Sequence, residues 1–159
     1  MMPGILSKEI KTYIDKCVLC WLATSSKENN PNVSPKEIFT YLDDENILIA
    51  NIASPQSAKN IIENPKVCIS FIDILIQKGF QLKGTAQIIN KEDAVYNEFL
   101  KKIHSLSEDR FPLISIIKIK IEKAKTILAP SYILNPQTSE EDQVKKAITS
   151  YQLNTQNRG

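Results

Sequence analysis

Residues 79–89, Gly-Phe-Gln-Leu-Lys-Gly-Thr-Ala-Gln-Ile-Ile, alternate in character along nearly their whole length. Phe80, Leu82, Gly84, Ala86 and Ile88 fall on one side; Gln81, Lys83, Thr85 and Gln87 fall on the other. Side chains that change face at every residue define a strand with one dry face and one polar face. The segment before it, 66–72, repeats the pattern, with Val67, Ile69 and Phe71 alternating against Cys68 and Ser70. Further on, 113–121 is expected to be a strand in which Ile117, Ile119 and Ile121 alternate with Lys118 and Lys120.

Towards the N-terminus, 17–24 (Cys-Val-Leu-Cys-Trp-Leu-Ala-Thr) is an apolar run of strand length, and 25–31 has the composition of a turn. The return strand is expected over 32–41, where Pro35 demands an edge, a bulge or a break. A turn at 43–46 leads to a strand at 47–51. Ser7 opens a first helix carrying Ile10, Tyr13 and Ile14 on one face. A second follows Ser54-Pro-Gln-Ser57, with Ala58, Ile61 and Ile62 inward and a stop before Pro65. A third is expected over 92–106, with Val95, Phe99 and Ile103 spaced four apart. A fourth starts at Ser139-Glu-Glu-Asp142, with acids in its first turn and Lys145 and Lys146 further on. The order α-β-β-β-α-β-β-α-β-α, with hairpin-like turns, implies an α+β class: a mainly antiparallel, closed or partly closed β-barrel with flanking helices. One domain is expected over 1–159, with its core at about 17–128 and a C-terminal helix at about 139–151.

The 159 residues, 42% hydrophobic and 24% charged, are sufficient for a real core. A net charge of +2 on 20 basic and 18 acidic side chains carries no nucleic-acid footprint. Apolar stretches such as 113–117 are too short to cross a bilayer, and the opening residues lack the basic-then-apolar order of a secretory signal. Three cysteines fit a reducing compartment, so a cytoplasmic protein without nucleic-acid or membrane partners is expected. Cys17-x-x-Cys20 is a poor zinc motif. Four ligands are needed, and Cys68 and the single histidine, His104, are the remaining supply. If 17–24 is one strand, the two cysteines also face opposite ways, as small buried hydrophobes. His104, among lysines, reads as a surface residue. No metal site and no catalytic residue are assigned.

The strand at 47–51 feeds a short loop and then a helix entering near Ser57. Free N–H groups backed by the helix dipole make such an entry a site for a phosphate. Ser57 offers a hydroxyl, Gln56 an amide and Lys59 a charge; the alternative is that Ser57 merely caps the helix.

Four stretches carry a family resemblance: 31–39 (Pro-Asn-Val-Ser-Pro-Lys-Glu-Ile-Phe), 49–61 (Ile-Ala-Asn-Ile-Ala-Ser-Pro-Gln-Ser-Ala-Lys-Asn-Ile), 63–67 (Glu-Asn-Pro-Lys-Val) and 79–86. In order and spacing, across about 18–89, they resemble the signature of the pyridoxamine 5′-phosphate oxidase-like, FMN-binding split-barrel family. The resemblance implies a homodimer with FMN at its interface. Asn32, Val33, Ser34, Pro35 and Lys36 would run past the ring system and ribityl chain. Ala50 and Asn51 would lead to Ser54, Gln56 and Ser57, which would grip the phosphate with Lys59 nearby. Lys78, Gly79, Phe80 and Gln81 would approach the isoalloxazine, commonly from the neighbouring subunit. A bare Gly79 suits the close approach of a planar ligand.

Two departures qualify what the resemblance implies. Where many relatives carry a basic residue just before the phosphate-contacting hydroxyl, this chain has Gln56. A lost charge-assisted hydrogen bond is worth about 1.5–3 kcal/mol, roughly ten- to a hundredfold in affinity; Lys59 and Lys36 are the residues that would compensate. The arginine-rich C-terminal segment of true pyridoxamine-phosphate oxidases also has no counterpart, since 139–159 holds one arginine, Arg158. Vitamin B6 oxidation is therefore not expected. The implied function is that of an FMN-dependent oxidoreductase or flavin reductase acting on a small-molecule substrate or electron donor, with Lys36 and Gln81 nearest the ring edge. The alternatives are a non-catalytic FMN carrier or sensor, or a split barrel using haem or F420. Lys118 and Lys120 mark a strand that would border the dimer interface.

Overall fold

The computed structural model describes residues 4–107 and 112–153. In chain order, α1 is Lys8–Lys16, β1 Cys20–Ser25, β2 Pro31–Lys36, β3 Phe39–Tyr41, β4 Asn46–Asn51 and α2 Pro55–Glu63. β5 follows at Lys66–Asp73, β6 at Lys78–Ile89, α3 at Tyr96–Ser107, β7 at Ser115–Leu128, α4 at Pro130–Leu134 and α5 at Glu140–Ser150. The seven strands form one sheet in the order β2-β1-β5-β6-β7-β4-β3, every pairing antiparallel. This is an α+β split barrel.

The dry faces read from the sequence meet inside it. Leu22, Ile47, Ile49, Ile69, Leu82, Ile117 and Ile119 are wholly buried on the inner face, closed at one end by Ile10 and Ile14 of α1. Each such side chain contributes about 1.5–3 kcal/mol of burial. On the outer face, α3 lays Tyr96, Phe99 and Ile103 over Leu48, Ala50, Ile89 and Ile116. The outer face of β1, β5 and β6 carries exposed Trp21, Lys83 and Ile72.

Several elements depart from their expected bounds. α1 runs to Lys16 with Cys17 as its C-cap, so β1 begins at Cys20 and the two cysteines do not share a strand. Burial pushes the Cys17 thiol up to about 11 and the Cys20 thiol to about 12, which keeps both protonated at neutral pH. The expected return strand divides in two, and its halves lie at opposite edges of the sheet, β2 on β1 and β3 on β4. The break follows Lys36 rather than falling at Pro35, which the edge position of β2 tolerates. α2 starts at Pro55 and buries Ser57, Asn60 and Ile61, whereas Ile62 is 74% exposed.

α3 starts at Tyr96, because a turn built on Asp93 occupies the residues before it: Asn90 N–H donates to the Asp93 carboxylate and Tyr96 N–H to the Asp93 carbonyl. Tyr96 thus takes the buried place expected of Val95. β7 begins two residues late and runs seven beyond its expected end, paired to the first half of β6. Because β7 lies between β6 and β4, Lys118 and Lys120 do not sit on a sheet edge. α4 was not foreseen. The Ser139 cap is as expected, accepting from Asp142 N–H at 3.1 Å; Arg158 lies outside the described residues. No helix among the described residues is long and apolar enough to cross a membrane.

Candidate functional site

The register of β1 on β2 sets Asn32 opposite Thr24, Ser34 opposite Leu22 and Lys36 opposite Cys20. Alternation therefore turns Asn32, Ser34 and Lys36 to the inner side, and Val33 and Pro35 to the outer. α2 crosses that inner edge and meets polar side chains with polar side chains. Asn32 Nδ2 donates to both Thr24 Oγ1 and Ser57 Oγ, each at 3.2 Å. The Ser34 and Ser57 hydroxyls lie 3.2 Å apart. Asn60 Nδ2 donates to Thr24 Oγ1 at 3.0 Å, and Gln56 Nε2 to Asn60 Oδ1 at 2.8 Å. A buried polar network of this kind fixes how the helix sits on the strand.

Lys36 is 6% exposed, and its Nζ donates to Ser54 Oγ. No carboxylate among the described residues pairs with it. Desolvation pulls this ammonium below the ordinary lysine range, with Cys20 opposing the shift. Ser54 occupies the N-cap position of α2 but its side chain caps nothing, and the first turn holds no acid. Pro55, at the first helical position, has no N–H to satisfy. The Gln56 and Ser57 N–H groups thus stand at the positive end of the helix without a side-chain acceptor.

A cavity of about 440 Å³ opens here, within the usual range for small-molecule sites. Ser34, Lys36, Ser54 and the exposed Glu37 form its polar wall, with Pro35, Ile38 and Ile52 on its apolar side. Of the other expected residues, Ala50 lines it, while Asn51 is buried elsewhere, donating to Ser115 Oγ at 2.9 Å and leaving its own Oδ1 without a partner. Ser57 is neither a helix cap nor part of the wall. It is the buried hub behind Ser34. Gln56 is turned along the helix to Asn60, and Lys59 is exposed on α2. Thr24 and Asn60 were missed. Asn60 is signalled only by lying three residues after Ser57 on one helix face.

The segment 78–81 lies apart from this cavity. β6 is three strands from β2, about 14 Å at the spacing of a sheet. Lys78 is held by Glu140 at 2.7 Å and lies 4.5 Å from the centre of the Tyr132 ring; the bond to Glu140 raises its pKa. Gly79 answers to a different neighbour from the one expected. A Cβ there would sit 2.0 Å from the Phe71 carbonyl oxygen, so its bareness admits the β5 backbone. Phe80 points into the core, edge-on to Tyr13 with centroids 5.4 Å apart, and so presents no face to a ligand. Gln81, half-exposed, remains on the outer face opposite Lys125.

Comparison with known proteins places this architecture. An FMN-binding protein of Syntrophomonas wolfei superposes with a TM-score of 0.65 at 16% identity, over 76% of this chain and 85% of that one. The haem storage protein HutZ of Vibrio cholerae gives 0.62 at 17% identity, over 77% and 94%. An F420 reductase gives 0.56 at 18% identity, over 75% and 98%. At these identities the likeness is one of fold. In sequence, an uncharacterized protein of Methanocaldococcus jannaschii is 37% identical over 71 residues, 43% of this chain. The match spans about half of that relative's length, 47%. The pyridoxamine 5′-phosphate oxidase family profile matches residues 6–128, and the chain belongs to that family.

Proposed function

We propose that the protein binds FMN as a homodimer and works as a flavin-dependent oxidoreductase or flavin reductase on a small substrate. The observation that carries this reading is Lys36. A nearly buried ammonium that forms no ion pair among the described residues stands beside an uncapped helix N-terminus, and both positive features adjoin one cavity, whose lining also includes Glu37. Two uncompensated positive groups at one place suit an anion with several acceptor oxygens, as a phosphate monoester has. Lys36, Ser54, Ser34 and the Gln56 and Ser57 N–H groups would hold the FMN phosphate. Lys36 thereby supplies the charge that Gln56 does not. The ribityl chain and ring would run past Asn32, Pro35 and the apolar wall, and Gln81 of a second copy would reach the ring.

When bound, the flavin supplies the hydride or electron chemistry. This chain's residues hold the phosphate, orient the ring and keep water from the apolar wall. Among the described residues of one chain, the cavity lining includes no histidine, cysteine, methionine or tyrosine that could serve as a haem axial ligand. Three free cysteines fit work in a reducing, cytoplasmic compartment.

The test is the absorption spectrum of freshly isolated protein, followed by titration with FMN. Flavin bands, or saturable binding of added FMN, are expected; bands of another chromophore, or a colourless protein with no saturable binding, would sink the reading. Bleaching of the bound flavin by a reduced nicotinamide cofactor is expected of a reductase. Its absence with every donor tried would leave a carrier or sensor.

A further inference from the structure

A second concavity, of about 380 Å³, crosses β1, β5, β6 and β7. Lys66, Lys83 and Lys123 line it, with Ala23, Cys68 and Gly84 among its other walls. Lys83 stands directly opposite Lys123 on β7 and, on its other side, opposite Cys68 on β5; Gln81 stands opposite Lys125. Like charges on directly opposed positions repel and weaken a sheet. Lys83, Lys123 and Lys125 are exposed, and no ion pair among the described residues neutralises them. The one carboxylate of the groove, Glu122, is already engaged. It accepts from Thr85 Oγ1 and from Lys66 Nζ at 3.0 Å, and both bonds hold its pKa down.

The backbone builds this juxtaposition. Ile121 points inward opposite Gly84, so strict alternation would send Glu122 outward and Lys123 into the core. The ladder instead shifts by one residue between Lys83 and Gly84. The shift returns Lys123 and Lys125 to the outer face, opposite Lys83 and Gln81, and sets an exposed Ala124 opposite Leu82. Bulges re-aim side chains in this way and are over-represented beside functional sites.

The geometry points to this groove as a second anion site: a binding place for a phosphate-bearing small molecule, gripped by Lys83 and Lys123 with Lys125 at its margin. Lysine ammoniums act on a phosphate as point charges, and two or three brought together by the ladder match a group of charge −2 or more. Gln81 is two residues from Lys83 along β6, so if the flavin reading holds, the groove would seat the phosphate of an anionic substrate or electron donor beside the ring. That last step rests on FMN binding; the anion site itself does not.

The experiment uses inorganic pyrophosphate and the full chain without flavin, reading calorimetric binding and the rate of Cys68 alkylation by peptide mapping. Pyrophosphate is expected to bind, to protect Cys68, and to weaken with added salt. A Lys83→Gln, Lys123→Gln double variant should lose about tenfold or more in affinity, together with the protection. Two controls fix the location. Lys145→Gln with Lys146→Gln, which removes the same charge from α5, should change neither readout. Lys36→Met should keep the Cys68 protection while weakening FMN binding. Wild-type affinity and protection in the Lys83/Lys123 variant would overturn the proposal, as would binding that disappears only with Lys36. Tight binding of a single-stranded oligonucleotide without any pyrophosphate protection would also overturn it, in favour of a polymer. Pyrophosphate protection in a protein that fails to bind FMN would leave the groove standing and remove the flavin reading.

Discussion

Lys36 and Lys78 are both expected, from the family resemblance, to lie near a flavin, yet the fold treats them in opposite ways. Lys78 is answered within the chain, by the Glu140 carboxylate at 2.7 Å and the Tyr132 ring. Lys36 is buried against Ser54 and forms no ion pair among the described residues. A paired, partly exposed lysine is ordinary surface chemistry, worth at most about 1 kcal/mol. An unpaired buried ammonium is a standing cost to the fold, which a bound anion would offset. The proposed phosphate site at Lys36 rests on this contrast.

Substituting Lys36 should sharpen the contrast most. Lys36→Met is expected to weaken FMN binding by about 1.5–3 kcal/mol, roughly ten- to a hundredfold, in a flavin-fluorescence titration. The same variant without flavin should melt no lower than the wild type, because an apolar side chain of similar length removes an uncompensated charge. A variant that melts lower and still binds FMN normally would show that Lys36 is structural and erase the difference from Lys78.

The two lysines also predict opposite responses to pH. Burial lowers the Lys36 pKa in the folded state. Between that lowered value and 10.5 the unfolded chain holds a proton that the fold does not, so Lys36 makes stability rise with pH in that window. FMN affinity should fall across the same window as the ammonium is lost. For Lys78, whose pKa is raised by Glu140, the contribution is full below 10.5 and disappears as pH rises through the folded value. Comparing unfolding curves of wild type, Lys36→Met and Lys78→Met between neutral pH and pH 11 separates the two slopes. Slopes of the same sign would break the comparison.

Ser57 tests what stands behind the site. Ser57→Ala leaves the Asn32 amide and the Ser34 hydroxyl short of a buried partner, a loss of about 1–3 kcal/mol in stability. Its effect on FMN should be smaller than that of Lys36→Met, because Ser57 supports the wall without forming it. Riboflavin, which lacks the phosphate, should bind almost as before; an equal loss for both ligands would make Ser57 scaffold alone.

The barrel was legible where one face is dry and the other wet. Val67–Phe71 and Phe80–Ala86 alternate because each strand separates core from solvent, and the Ser7 and Ser139 caps announce their helices locally. β3 and the end of β7 were not legible for a physical reason: their places are fixed by pairing partners distant in sequence. Phe39–Tyr41 joins β4 at the far edge, and the mostly polar residues after Ile121 are held by β6 through a bulge that no local pattern signals. For the candidate site, the resemblance supplied the segment at Ser34–Lys36 and Ser54, and the residue pattern supplied the helix entry. That Lys36 reaches Ser54, that Ser57 turns inward and that Phe80 joins the core depend on side-chain direction across non-adjacent strands. α2 illustrates the limit. A helix lying on apolar strands would bury Ala58 and Ile62, but this one lies on Thr24, Asn32 and Ser34 and turns Ser57 and Asn60 inward instead.

The smallest expected effect lies at Lys78. Glu140 belongs to the C-terminal helix, which also reaches the β5–β6 turn through Tyr151, whose hydroxyl accepts from Gln77 Nε2 at 3.0 Å. A double-mutant cycle of Lys78→Met and Glu140→Gln should give a coupling of about 0.2–1 kcal/mol, shrinking as salt is added, since both groups are partly in water. FMN affinity should stay nearly constant across all four proteins, because the pair neutralises itself and offers a phosphate no net attraction. If Glu140→Gln alone strengthened FMN binding and Lys78→Met abolished the gain, the freed ammonium would be reaching the ligand. Lys78 would then join Lys36 as part of the site, with the C-terminal helix holding it back.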